Sequence, residues 1–153
     1  MKKIDAKKQG MSDTSYKNIT TRRAIASAQV VFSSDSFAAF VQEGSPKGNI
    51  LETARVAGII AAKSTPQIIP LCHPLELSKV GIIFDIDKKN RNVMITSEVI
   101  YKGRTGVEME ALTAVAAAAL TVYDMMKWKD KGIIIKDIRL MQKSGGKSGD
   151  YKR

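Results

Sequence analysis

Two carboxylates, Glu108 and Glu110, flank Met109 in the segment Gly103–Leu112, within what reads as the first turn of a long apolar helix. Carboxyl groups held in place can donate or accept protons. Thr105 stands three residues before Glu108, the spacing of a capping box. In that box the threonine hydroxyl accepts from the N–H of residue 108, and the glutamate carboxylate reaches back to the N–H of residue 105. The box accounts for Glu108 and leaves Glu110 over. Two residues along a helix turn through roughly 200°, so the two acids are expected to point to nearly opposite faces. Negative charge near a helix N-terminus is favourable by about 0.3–1 kcal/mol, so a stabilising role and a proton-transfer role both stay open.

His73 is the only histidine, and it lies in Leu71-Cys72-His73-Pro74 with Pro70 before it. The prolines stiffen this stretch. A lone histidine in an apolar loop is commonly a satisfied core residue, yet a rigid loop presenting an imidazole also suits ligand contact. Cys72 reads as a small buried hydrophobe, since no base is paired with it. Asp124 and Lys127 are three residues apart and therefore neighbours on one helix face. They form either a surface ion pair worth a few tenths of a kcal/mol or a proton relay beside phosphate. Lys47, just ahead of a helix N-terminus, is either an anion contact or an exposed lysine. Lys143-Ser144-Gly145-Gly146-Lys147-Ser148-Gly149-Asp150 looks like a phosphate loop but is not a Walker motif, because position 141 is Met and no helix follows. Its N–H groups and ammoniums can still wrap a triphosphate; the alternative is a disordered basic tail.

The elements that must position these groups follow from periodicity. Residues 1–19 are polar and aperiodic and read as a flexible basic arm. Residues 20–33 alternate, with Ala24, Ala26, Ala28, Val30 and Phe32 facing one way, which predicts a strand. Ser34-Asp35-Ser36 is expected to cap a short helix over 37–43, closed by Gly44. Asn49 caps a second helix to about residue 64, and a proline-kinked connection spans 66–79. Residues 80–87 and 93–101 alternate around the turn at 88–92 and predict a β-hairpin. A helix from Gly106 to about Trp128 and a strand over 133–141 complete the order. This is the βαββαβ pattern of a ferredoxin-like α+β sandwich, an antiparallel sheet with helices on one face. The domain is expected over 20–153, with a Gly/Ser/Lys-rich tail. The long helix is apolar almost all round, so a partner subunit is expected to cover the side that faces away from the sheet. Glu110 and Asp124 are fourteen residues apart, or ~21 Å along the helix axis. A pocket using both would be completed across a subunit boundary, as a symmetric dimer allows.

The 153 residues carry a net charge of +10 and 44% hydrophobic content, enough for one domain with a real core. The charge attracts anions: nucleic acid, an acidic membrane or a phosphorylated ligand. The basic residues lack the interleaved aromatic platforms of an RNA-binding stripe. One cysteine excludes an internal disulfide, and one cysteine with one histidine excludes a structural zinc site. The apolar run over 111–122 is twelve residues, too short to span a bilayer, and the N-terminus lacks a signal-peptide core. The cytoplasm is the expected compartment.

Five blocks resemble the family of the C protein of molybdenum cofactor biosynthesis, the cyclic pyranopterin monophosphate synthases. They are residues 48–58 (Gly-Asn-Ile-Leu-Glu-Thr-Ala-Arg-Val-Ala-Gly), 69–75 (Ile-Pro-Leu-Cys-His-Pro-Leu), 105–113 (Thr-Gly-Val-Glu-Met-Glu-Ala-Leu-Thr), Tyr123-Asp124-Met125 and the 143–150 stretch. Met11-Ser12-Asp13-Thr14-Ser15 departs from the family's usual Met-Val-Asp-Val-Ser. The resemblance implies a lyase acting on 3′,8-cyclo-7,8-dihydroguanosine 5′-triphosphate, releasing pyrophosphate, in a homohexamer built as a trimer of dimers. It implies Asp124 and Lys127 as catalytic groups. It implies Leu71, Cys72, His73, Met109, Glu110, Glu108, Lys47, Lys143 and Lys147 as the substrate-binding shell. No resident cofactor, nucleic acid or membrane is implied; Mg²⁺ can accompany the triphosphate, since that ion needs few protein ligands.

Overall fold

The computed structural model describes residues 10–153, so the expected arm over 1–19 falls partly outside the described residues. Strand β1 (Thr20–Val31) buries Ala24, Ala26, Ala28 and Val30, the alternation read from the sequence. Helix α1 (Ser34–Gln42) begins earlier than expected. Ser33, not the Ser34–Ser36 group, is its N-cap, with its hydroxyl accepting from the Ser36 N–H at 3.3 Å. Gly44 closes that helix at φ +74°, a left-handed conformation that glycine adopts freely, and its N–H donates to the Ala39 carbonyl at 2.9 Å.

Helix α2 (Ile50–Lys63) starts at Asn49, whose side chain accepts from the Glu52 N–H at 3.0 Å. A single turn, α3 (Thr65–Ile68), carries Pro66 and leads into the irregular stretch that holds His73. Strands β2 (Lys79–Asp87) and β3 (Asn92–Gly103) form the expected hairpin, and α4 (Glu108–Met126) follows. Strand β4 (Ile134–Ser144) runs three residues beyond the predicted end. The tail then turns back, and β5 (Tyr151–Lys152) pairs with Gln142 and Lys143.

The sheet order is β2-β3-β1-β4-β5, with every pair antiparallel. The four long strands have the order of a ferredoxin-like sandwich, and β5 adds a short fifth. Opposite residues Ala24 and Val99, Ala28 and Ile95, and Val30 and Val93 share the face that the helices cover. The small side chains of that face and of the helices let backbones come close. A Cβ on Gly58 of α2 would lie 2.8 Å from the Ala114 carbonyl of α4 and collide with the Ile82 methyl.

At 19 residues and mean hydropathy 1.3, α4 is long and apolar enough by length and composition to cross a membrane. The helix adds Glu108, Glu110 and Asp124 to the twelve-residue apolar run over 111–122 counted from the sequence. Its packing against β1, β3, β4 and α2 makes it the core helix of the sandwich. Leu120 on α4, with Val56 and Ile60 on α2, stays more than half exposed.

Candidate active site

The N-terminal end of α4 carries the first group of chemical side chains. A cavity of about 350 Å³ lies over this helix end, lined by Cys72, His73, Glu108 and Glu110, with the exposed Leu71 and Met109. Both acids line this cavity, and Glu108 also lines the smaller cavity beside Lys143.

Glu110 is almost fully buried, at 3% exposure. Burial pushes its carboxyl above the usual range; a backbone N–H pulls it partly back, and the charge of Glu108 adds to the rise. A carboxyl in that position holds a proton more readily than a solvated one. The Cys72 thiol is also pushed up, by burial and then by Glu110, which leaves it a poor nucleophile.

The capping box does not form. The residue before the helix is Val107, and no side chain caps the first turn. Glu108 is the first helical residue, not the third, so Thr105 lies too far back to exchange bonds with it. The Glu108 carboxylate turns instead to the Lys143 ammonium at 3.2 Å. Lys143 also donates to the Ser148 hydroxyl at 2.8 Å.

The tail over 143–150 is a built turn, not a disordered one. Gly145 sits at φ +86°, its carbonyl accepts from the Thr20 hydroxyl at 2.6 Å, and a Cβ there would strike the Thr21 carbonyl. Lys147 is exposed on that turn.

Arg22 was not singled out from the sequence. It is buried to 6% exposure, its Nε donates to the Gly103 carbonyl at 3.2 Å, and it shares a small cavity with Glu108, Lys143 and Gly146. The signal existed: Arg22 has the parity of Ala24 and Ala26, so the alternation turns an arginine inward.

The C-terminal end of α4 carries the second group. Asp124 accepts from Lys127 at 2.7 Å, as the three-residue spacing predicts, and from Lys47 at 2.6 Å. The Lys47 loop is held by the Ser45 hydroxyl, which donates to the Met125 carbonyl at 2.7 Å. The Lys127 ammonium first, and Lys47 with it, lowers the Asp124 carboxyl to about 2; Asp124 in turn raises Lys127. The side chains are about half exposed, so this is an anion clamped between two cations and open to solvent.

Within one chain the two groups sit at opposite ends of α4, and Lys47, Asp124 and Lys127 are not among the residues that line the cavity at Glu110. Among the described residues, no three of His, Cys, Asp and Glu converge as a metal cage.

A ferredoxin-like α+β domain whose main cavity is lined by a buried carboxyl, a second carboxylate, a histidine and a lysine has the groups that an enzyme moving protons needs. The MoaC family profile matches residues 11–146, and the chain belongs to that family. It is 51% identical over 142 residues to a cyclic pyranopterin monophosphate synthase from Parvibaculum lavamentivorans, covering 93% of this chain and 89% of that one. It is 50% identical over 143 residues to the synthase of Heliobacterium modesticaldum, covering 94% and 90% of the two chains. For the synthase of Streptomyces griseus the identity is 53% over 143 residues, covering 94% and 80%.

Proposed function

We propose that this chain is a cyclic pyranopterin monophosphate synthase of molybdenum cofactor biosynthesis, a lyase. It converts 3′,8-cyclo-7,8-dihydroguanosine 5′-triphosphate into cyclic pyranopterin monophosphate and pyrophosphate. Identity of about half over nearly the whole chain with enzymes of that name supports the reading. The observation that carries the site assignment is the split of the charged groups between the two ends of α4.

The reaction opens a purine ring, closes a pyrazine and cyclises a phosphate. Each ring step moves protons, for which Glu110, Glu108 and His73 at one end and Asp124 with Lys127 at the other are suited. Burial keeps Glu110 ready to carry a proton. Lys127 and Lys47 fix Asp124 until a phosphate arrives to compete for their ammoniums. The departing pyrophosphate needs positive charge already in place, supplied by Lys47, Lys143 and Lys147. Leu71, Cys72 and Met109 give the pocket its apolar lining.

A second copy, packed on the apolar outer surface formed by Val56, Ile60 and Leu120, brings the Asp124 end of one chain to the Glu110 end of the other. Such dimers assemble further into a hexamer, a trimer of dimers. The single thiol, Cys72, suits the reducing cytoplasm.

The test replaces Asp124→Asn and Lys127→Ala separately and follows product formed from the cyclised nucleotide. Each change should lower kcat by about 10²-fold or more. Folded variants with near-normal turnover would remove both residues from the chemistry.

A further inference from the structure

The segment ahead of β1 is built as a turn against the cavity. The Asp13 carboxylate accepts from the Ser15 N–H at 2.9 Å, and the Lys17 N–H donates to the Thr14 carbonyl at 3.1 Å. Two arginines tether it. Arg104 Nε donates to the Lys17 carbonyl at 3.1 Å, and Arg22 Nη2 to the Asn18 carbonyl at 3.5 Å. The turn is selective in what it buries. Thr14 and Lys17 are half-buried, whereas Asp13, Ser15, Tyr16 and Asn18 are exposed.

Both half-buried residues line the cavity that holds His73, Glu108 and Glu110. A second cavity, of about 440 Å³, lies on the other side of Thr14 and His73, and Lys102 and Arg104 line it. Thr14, His73, Leu75 and Thr105 line both spaces and mark the ridge where the two meet. A polyanion crossing that ridge meets Lys17 on one side and Lys102 with Arg104 on the other. Among the acids of the first cavity, Glu108 is already engaged by Lys143. The Lys17 ammonium makes no ion pair among the described residues and stands 6.0 Å from the centre of the exposed Tyr16 ring, which leaves it open to an anion.

We infer that the Asp13–Lys17 turn is a wall of the binding site, with Lys17 contacting the ligand's phosphates and Arg104 positioning the turn that presents it. This rests on the synthase reading and extends its set of cations. An ammonium on a phosphate is a charge-assisted hydrogen bond, and losing it weakens binding without touching the proton-transfer groups.

The experiment measures kcat and KM on the cyclised nucleotide, and the affinity for inorganic pyrophosphate by calorimetry. Lys17→Ala should raise KM and weaken pyrophosphate binding by about tenfold or more, with kcat within about twofold of the parent. Lys17→Arg should recover much of both. Arg104→Ala should raise KM and also speed trypsin cleavage after Lys17, which loss of charge alone would not do. Circular dichroism confirms that each variant is folded. A parent protein without turnover would overturn the synthase reading. A parent with turnover, together with a Lys17→Ala variant whose KM and pyrophosphate affinity are unchanged, would overturn the role of this turn alone.

Discussion

Mixing Glu110→Gln protein with Asp124→Asn protein should restore activity that neither variant has by itself. The two carboxyls stand fourteen residues apart on one helix, about 21 Å along its axis at ~1.5 Å per residue. The cavity at Glu110 is roughly 9 Å across if taken as a sphere of its volume. A ligand in that cavity reaches the Asp124 of its own chain only by spanning more than twice that width, so in the proposed assembly the Asp124 that serves it comes from another copy. Both substitutions keep side-chain size and remove only the carboxylate.

In a symmetric dimer, each site takes Glu110 from one chain and Asp124 from the other. A mixed dimer then holds one site with both lesions and one with neither. Random reassociation of equal amounts makes half the dimers mixed, so about a quarter of parental activity should return. The assay unfolds and refolds the mixture, confirms mixed oligomers through a size tag on one variant, and follows product. If tagged mixed oligomers form and activity stays at the sum of the separate variants, no site is shared between chains and the reasoning fails.

Stability should report the buried carboxyl independently of catalysis. The folded pKa of Glu110 lies above the ordinary 4.5, so the native state binds more protons there than the unfolded chain does. Stability from this group is complete below the ordinary value and falls as pH rises toward the raised one. Glu110→Gln should therefore gain Tm relative to the parent as pH rises above 4.5, and a Tm difference that is flat with pH would contradict the burial argument. At the contact of α2 with α4, Gly58→Ala tests close packing. Alanine gains about 0.5–1 kcal/mol as a helix former, but the new methyl meets the Ala114 carbonyl and Ile82, and overpacking costs about 1–3 kcal/mol. A lower denaturant midpoint is expected, and an unchanged or higher one would show that the helices can separate without cost.

The parts legible in the sequence are those set by neighbours along the chain. Alternation over residues 20–33 placed β1 and its inward face, including the parity that buries Arg22. Asn49 announced α2 through a bond to the third residue after it, and Asp124 with Lys127 followed from helical spacing alone. Such features need only local hydrogen bonds and the period of a helix or strand. Even locally, competition can mislead: Thr105 and Glu108 had capping spacing, but the helix begins at Glu108 and a lysine from another strand takes the carboxylate.

Tertiary structure decided the rest, because those contacts join segments far apart in sequence. Lys47 reaches Asp124 across 77 residues, Thr20 holds Gly145 across 125, and Arg104 fastens the Lys17 turn across 87. No periodicity records these distances; they exist because the antiparallel sheet lays β1 beside β3 and β4 and so brings the arm, the tail and the start of α4 to one end of the sandwich.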